Sequence, residues 1–335
     1  MKQPASTSLI DLFESLVLPL ERPASRSLSA VPVPGAETHR LAKDASGAPY
    51  LLLRQVPSPH IAPPTRLQNL MVTYCTPCVV AQPGGMQEDG VFTIIKCSSS
   101  DPSLFQHFLK ILSPIVVTLG PAPSGAAVRL AISGLVDLFQ ALTTPAKKSV
   151  QGLWAELLLI RYASNPLEVV AAWHGTPQEH IDFVSGGERL EVKSSSTRER
   201  VHHFSLAQLV PPTGTRVVIV SVFVEAVGGG LSLRRLSDEI RVAIASDPVM
   251  VTRFDAIFYA TLGAGWSDAM DECFDLELAR DSLQFFDAAG IPKIDGPIPS
   301  AVRNVRFISD LSTTQPLESA ASLATGLFAA AAPVR

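Results

Sequence analysis

A short stretch in the middle of the chain places charged side chains on two strand-like runs. Residues 181–196 read IDFVSGGERLEVKSSS, and the Gly-Gly pair at 186–187 is a favoured two-residue hairpin turn. The register set by this turn places Asp182 directly opposite Glu191. Lys193 shares a strand face with Glu191, because alternate residues of a strand point to the same side. The hairpin therefore carries two carboxylates and an amine on its polar face.

Facing carboxylates need a compensating charge. Like charges directly opposite each other destabilise a hairpin, and Lys193 offsets part of that repulsion. A divalent cation offsets it better, because hard cations bind clustered oxygen ligands. The pattern thus predicts a metal site, with a solvated strand face and a salt-bridged lysine as the alternative. The same register would set His180 opposite Lys193.

The preceding segment supplies a third carboxylate. Residues 147–164 predict a helix in which Glu156 is the charged residue of the apolar run LWAELLLI. An unpartnered buried carboxylate is expensive, so Glu156 needs a cation, a hydrogen-bond donor or access to solvent. Near Asp182 and Glu191 it would complete a cluster of three carboxylates. The alternative is that Glu156 extends past Trp154 into water.

These residues resemble the PD-(D/E)XK nuclease superfamily, which has a helix Glu, a strand Asp and Glu-x-Lys on the next strand. More closely, GLWAELLLI, the following Trp173, HIDF, LEVKSS and HHFSLAQL are similar to the PD-(D/E)XK motif protein family, whose members often occur beside restriction-modification genes. The resemblance covers about residues 147–225. Ile181 replaces the proline of the motif, which is often absent in the superfamily.

The resemblance implies a catalytic set on this part of the chain: Glu156, Asp182, Glu191, Lys193 and Gln208. The three carboxylates and the carbonyl of Val192 would hold Mg²⁺, with Mn²⁺ as a substitute. Lys193 would position or activate the attacking water and stabilise developing charge. Gln208 would face the site from a short helix after the Lys193 strand, although it could equally be an exposed helix residue.

The segment KSSSTRERVHHF, residues 193–204, is rich in basic side chains. Arg198, Arg200 and His203 are candidates to contact a nucleic-acid backbone, where phosphate contacts position the ligand without reading its sequence. A solvated loop is the alternative for this segment.

The composition bounds the class of protein. The 335 residues are 47% hydrophobic and 17% charged, which is typical of a globular chain. The formal net charge is -4, so any basic nucleic-acid surface must be local. Four cysteines do not make a disulfide framework, and Cys75 and Cys78 form a C-x-x-C pair read as small buried residues or as a metal or redox site. No apolar run could span a membrane, and the N-terminus lacks a signal-peptide pattern, which predicts a cytoplasmic protein.

The organisation along the chain predicts an α/β fold. Residues 1–145 would form an N-terminal β-rich recognition or accessory region, and 146–311 a restriction-endonuclease-like α/β/α core with a central mixed sheet and a C-terminal extension. Within this core, LEVVAAW at 167–173, HIDFV and RLEVKSS are predicted as three successive strands. The Ala-rich tail, 312–335, is expected to be loosely held.

The predicted activity is a Mg²⁺-dependent phosphodiesterase, most simply a DNA endonuclease of a restriction or phage-defence system. Its expected partners are DNA, other subunits of such a system, and a second copy of the chain that would allow paired cuts. One alternative is a non-catalytic DNA-binding or assembly subunit that keeps the nuclease fold. Another is an enzyme that acts on RNA or on a nucleotide.

Overall fold

The structure is a computed structural model that describes residues 8–19, 28–55, 62–81, 87–99, 102–174, 181–299, 301–317 and 326–333. The chain divides into two compact units, residues 1–143 and 144–335. In the described parts of the chain, no helix is both long and apolar enough to cross a membrane.

In its described residues, the first unit contains an antiparallel sheet and three helices. The strands, in the spatial order β1-β2-β3-β6-β5-β4, are β1 (Ser29–Val33), β2 (Ala36–Lys43), β3 (Pro49–Arg54), β4 (Thr65–Arg66), β5 (Leu70–Ala81) and β6 (Gln87–Cys97). The helices are α1 (Leu9–Glu14), α2 (Pro102–Leu119) and α3 (Gly125–Ala141). Strand β5 has a β-bulge between Thr73 and Thr76, and Cys75 within it has a positive φ of 47°. Cys75 and Cys78 are both free thiols.

The second unit is built around a four-stranded mixed sheet. Its elements are α4 (Val150–Tyr162), α5 (Pro166–Ala172), β7 (Phe183–Ser185), β8 (Glu188–Ser195), β9 (Val201–Ser205), α6 (Leu206–Leu209), β10 (Arg216–Phe223), β11 (Ala226–Ser232), α7 (Leu233–Ala243), α8 (Pro248–Leu262), α9 (Trp266–Ala269), β12 (Cys273–Phe274), α10 (Leu276–Ser282), β13 (Gln284–Asp287), β14 (Arg306–Asp310) and α11 (Gly326–Ala331). The central sheet has the order β13-β10-β8-β7, in which only the β10–β8 pair is parallel. The predicted α/β class with a mixed sheet is confirmed.

The hairpin has the register that its sequence predicts. Ser185 pairs with Glu188 and Val184 with Arg189, across a turn in which Gly186 has a positive φ of 57°. Because such backbone is strained for residues with a Cβ, the glycine explains why the chain turns at this point. The ladder ends at Phe183, so Asp182 lies just before β7. His180 lies outside the described residues.

Strand β10 is an interior strand of the central sheet and is buried on both faces. Its residues Val218 and Val220 are fully buried, and the strand runs parallel to β8 along the whole length of the latter. Val217 and Ile219 point to the opposite face, where they pack with Leu209 of α6. Helix α4 contacts β8. A continuous apolar run buried on both faces is typical of a strand with parallel pairing.

The predicted strand at 167–173 is wrong. Residues Pro166–Ala172 form helix α5, with Pro166 in its first turn and Asn165 capping it by accepting a hydrogen bond from the Glu168 N–H. Proline is favoured in a first helical turn, and a short apolar run does not by itself distinguish a buried helix from a strand. The third strand of this segment is β9, which follows the hairpin strands β7 and β8 and pairs with β14.

The expectation of a loosely held tail is also wrong for its described part. Helix α11 buries Leu327 and Phe328, and contacts α5 and β8. The Phe328 N–H donates to Oε2 of Glu188 at 3.3 Å, and the Ser164 N–H donates to the Ala332 carbonyl. An alanine-rich segment with large side chains on one face can fold as a helix once a partner surface is available.

Candidate active site

Glu156 is held in the interior by two donors. It lies in helix α4, whose residues from Leu153 to Ile160 are all buried, and only 4% of Glu156 is exposed. Its Oε2 accepts a hydrogen bond from Trp173 Nε1 at 2.8 Å, and its Oε1 lies 2.6 Å from Lys148 Nζ. Glu156 therefore does not extend past Trp154 into water, which excludes that alternative.

Asp182 shares the same lysine. Its Oδ1 lies 2.5 Å from Lys148 Nζ, so one ammonium bridges the carboxylates of Glu156 and Asp182. Its Oδ2 accepts the Val192 N–H at 2.9 Å, which ties the start of β7 to the middle of β8. The N–H and C=O of an extended residue point to the same edge of a strand, so the Val192 carbonyl faces this side too.

Glu191, Lys193 and Gln208 form the other half of the cluster. Lys193 Nζ lies 2.8 Å from Glu191 Oε1 and 3.3 Å from Gln208 Oε1, above the Phe204 ring. Gln208 Nε2 donates to the same Glu191 oxygen at 2.5 Å, and Gln208 Oε1 accepts the Ser205 N–H at the start of α6. Gln208 is buried rather than exposed on its helix.

Burial and repulsion dominate the electrostatics of the cluster. Burial raises the pKa of both Glu156 and Glu191 above the usual range, and the charge of Asp182 raises each pKa further. The charges of Lys148 and Lys193 act in the opposite direction on Glu156 and Glu191 respectively. Burial lowers the pKa of Lys148, but the charges of Glu156 and Asp182 outweigh it and leave that pKa above its usual value. The cluster holds three carboxyls against two amines, so the carboxyls cannot all be neutralised by ammonium groups.

The donor chemistry of the cluster fits a hard divalent cation. Glu191 Oε2 is buried and, among the described residues, has no hydrogen-bond partner. An orphaned carboxylate oxygen beside two further carboxylates is what an oxygen-ligated cation would satisfy. Among the described residues, no three His, Cys, Asp or Glu side chains are already arranged as a ready-made metal site. The Lys148 ammonium contacts Glu156 and Asp182 instead.

Two residues of this site are missing from the set predicted from sequence. Lys148 precedes the Ser149 cap of helix α4, where a Lys-Lys pair reads as an ordinary solvated helix start. Trp173 is part of the quoted resemblance, but the pattern alone assigns it no contact. A lone tryptophan after an apolar run gives no signal that its indole N–H would bind a carboxylate in the preceding helix.

The three basic candidates have contacts elsewhere. Arg198 forms a two-pronged ion pair with Glu225, at 2.5 and 2.9 Å. Arg200 donates to the carbonyl and hydroxyl of Ser221 and to the Ser282 carbonyl, so its guanidinium supports the fold. His203 is exposed on β9. These contacts of Arg198 and Arg200 lie outside the carboxylate cluster.

The fold and the site define a class: an α/β core in which a helix Glu, an Asp before one strand and Glu-x-Lys on the next converge. The family described as "Putative PD-(D/E)XK family member, (DUF4420)" matches residues 11–312. The chain belongs to this family, which confirms the resemblance. Such membership suggests nuclease activity with DNA as substrate and, as is usual for these nucleases, a divalent metal. No curated protein and no solved structure matches the chain.

Proposed function

We propose that this protein is a Mg²⁺-dependent DNA endonuclease, with Mn²⁺ as a substitute cation, that acts in a restriction or phage-defence system. The observation that carries the proposal is that the buried carboxyls of Glu156, Asp182 and Glu191 lie close together, with Lys193 beside Glu191. A DNA substrate in such a system implies the cytoplasm as the place of action.

The charge balance of the cluster supports the metal. Three buried carboxyls face two ammonium groups, so full ionisation leaves one uncompensated negative charge in a poorly solvated place. An uncompensated buried charge is costly, and a divalent cation would remove the deficit. Glu156, Asp182, Glu191 and the Val192 carbonyl would hold it. When bound, it would neutralise phosphate charge and lower the pKa of a bound water.

The other residues of the cluster would stabilise developing charge and hold the carboxylates and Lys193 in position. Lys193 would donate to the phosphate oxygens as negative charge develops there, since an ammonium adds positive charge without competing as a metal ligand. Gln208 holds Lys193 and Glu191 in a shared hydrogen-bond network, which limits their side-chain freedom. Trp173 performs the corresponding task for Glu156.

Substrate and partner contacts extend the proposal beyond the cluster. Arg198 and His203, both exposed, would contact the DNA backbone, while Arg200 would hold their segment in place from within. The β-rich unit, residues 1–143, would recognise DNA or another subunit. A homodimer would allow both strands to be cut.

The test compares nucleic acids and cations. Purified protein is incubated with methylated and unmethylated supercoiled plasmid, and with single-stranded RNA, in Mg²⁺, Mn²⁺ or EDTA. We expect nicked or linear plasmid with either metal, none with EDTA, and none from the Asp182→Ala variant. Plasmid binding without any cleavage above that variant would instead support the non-catalytic subunit, and cleavage confined to RNA would overturn the DNA assignment.

A further inference from the structure

We propose that Lys148 is a built-in competitor for the metal site: its ammonium binds the carboxylates of Glu156 and Asp182, and a divalent cation must displace it. This inference rests on the proposed function and adds a control on metal loading to it. Nothing in the Glu, Asp, Glu-x-Lys pattern assigns a role to this lysine.

The Lys148 ammonium occupies the position between the Glu156 and Asp182 carboxylates in which a cation would bind. Lys148 Nζ lies 2.6 Å from Glu156 Oε1 and 2.5 Å from Asp182 Oδ1, so it lies between the two oxygens. Mg²⁺ requires oxygen ligands at about 2.0–2.1 Å in near-octahedral geometry. An ammonium within hydrogen-bond distance of both oxygens fills the volume that such a cation needs, so the two cannot bind both carboxylates together.

The Lys148 side chain can also leave the carboxylates by moving into solvent. About a third of its side chain, 34%, is exposed, whereas the side chains of Glu156 and Asp182 are 5% and 10% exposed. Lysine has a flexible four-carbon stem and a strongly hydrated head group, so it can move into water while its backbone stays at the start of α4. The carboxylates, held by the Trp173 and Val192 N–H groups, would remain in place.

The other lysine of the cluster does not fit this role. Lys193 is 17% exposed, bonds to Glu191 and Gln208, and lies over the Phe204 ring. It leaves Glu191 Oε2 buried without a hydrogen-bond partner among the described residues. That oxygen points to a ligand beyond the two lysines. A cation that reaches it and also binds Asp182 and Glu156 has to replace Lys148, not Lys193.

The test measures cation binding without any substrate. Mn²⁺ affinity is determined by electron paramagnetic resonance and by calorimetry for the wild type, Lys148→Met and Lys148→Gln. The adjacent Lys147→Met, which makes the same charge change at an exposed position, is the matched control. Removing the competitor should tighten Mn²⁺ binding about tenfold, which corresponds to about 1.4 kcal/mol. Lys147→Met should bind as the wild type does.

The thermal unfolding of the same proteins gives a second readout. Without metal, Lys148→Met should melt below the wild type because its carboxylates lose their ammonium, and Mn²⁺ should raise its melting temperature by more than that of the wild type. Lys148→Gln keeps a hydrogen-bond donor without charge and serves if the methionine variant does not fold.

The outcomes separate the inference from the proposed function. If the wild type binds Mn²⁺ and both Lys148 variants bind it equally or more weakly, Lys148 is no competitor, while the metal site stands. If neither the wild type nor the Lys148 variants bind Mn²⁺, the metal site and the inference fail together. Tighter binding in both Lys148 variants but not in Lys147→Met supports the inference.

Discussion

The indole N–H of Trp173 donates to Oε2 of Glu156 at 2.8 Å, which joins the end of helix α5 to the middle of helix α4. Trp173 is fully buried and packs against the rings of Phe183 and Phe254, so its donor is fixed in direction. Hydrogen bonds that orient a ligand carboxylate are worth about 10- to 100-fold in metal affinity or activity.

Trp173→Phe should therefore weaken Mn²⁺ binding and plasmid cleavage by about 10- to 100-fold. The matched control is Trp154→Phe, which also removes a buried indole N–H, here bonded to the Leu231 carbonyl away from the cluster. This control should lose stability without a comparable loss of Mn²⁺ affinity. Equal metal affinities for Trp173→Phe and the wild type would show that the hydrogen bond is only structural.

Removing either hairpin carboxylate should abolish metal-dependent cleavage. Asp182→Ala and Glu191→Gln each take away one of the proposed cation ligands, and the glutamine keeps a group that can accept from Lys193 and Gln208. Glu191→Gln should be as stable as the wild type or more so, because it removes a buried carboxyl whose ionised form repels Asp182. Cleavage assays and far-ultraviolet circular dichroism check both statements, and wild-type cleavage by either variant would contradict the proposed site.

Lys193→Ala should lower turnover by about 10² to 10⁴, the scale for one acid-base or charge-stabilising group. Mn²⁺ affinity should stay the same or rise, because a positive charge beside Glu191 is gone. Lys193→Arg keeps the charge but not an amine of tunable pKa. Single-turnover rates distinguish the roles: full cleavage by the arginine variant would exclude proton transfer and leave charge stabilisation alone.

His202 predicts an acid-sensitive loss of stability. Burial, with a smaller contribution from nearby Lys193, Arg200 and His203, lowers its pKa to about 4. Above pH 6.5, His202 is uncharged in both the folded and the unfolded protein. As the pH falls, the unfolded chain binds a proton at His202 at a higher pH than the folded protein does. The free energy of unfolding should therefore fall between pH 6.5 and 4, by about 3 kcal/mol from this residue.

His202→Gln is the comparison for this prediction, because its amide can still reach the hydroxyl of Ser221 that His202 Nε2 bonds at 2.8 Å. Urea unfolding across this pH range should show a shallower decline for the variant. Parallel pH profiles for the two proteins would mean that His202 does not contribute to the decline.

A buried ion pair in the helical part of the second unit should matter for stability. Arg241 Nε lies 2.7 Å from Asp255 Oδ1, with 12% and 2% of the two side chains exposed. Asp255→Ala would leave a buried guanidinium without this partner and should cost about 3–5 kcal/mol in the free energy of unfolding. Asp271→Ala breaks the exposed pair with Arg234 and should cost about 1 kcal/mol at most. Urea denaturation curves of the two variants test the contrast.

The hairpin and its chemistry could be predicted from local sequence. A Gly-Gly turn and the two-residue period of a strand are short-range constraints, and together they determine that Asp182 and Glu191 share one side of the structure. The apolar run around Glu156 likewise predicts a buried carboxylate that needs partners. These predictions depend on residues within about one element of each other, where backbone geometry leaves few choices.

Tertiary packing decided the secondary structure of residues 167–173 and the partners of Glu156. Residues Pro166–Ala172 form a helix because Asn165 caps it, Pro166 begins it, and helices α4, α8 and α11 pack against it. The short apolar run 167–173 by itself is equally compatible with a strand. The partners of Glu156 come from Lys148, eight residues earlier, and Trp173, seventeen residues later. A side chain's partner across such separations depends on how whole elements pack, which no local pattern encodes. The sequence by itself determined which groups could do chemistry, and only the fold determined which of them meet.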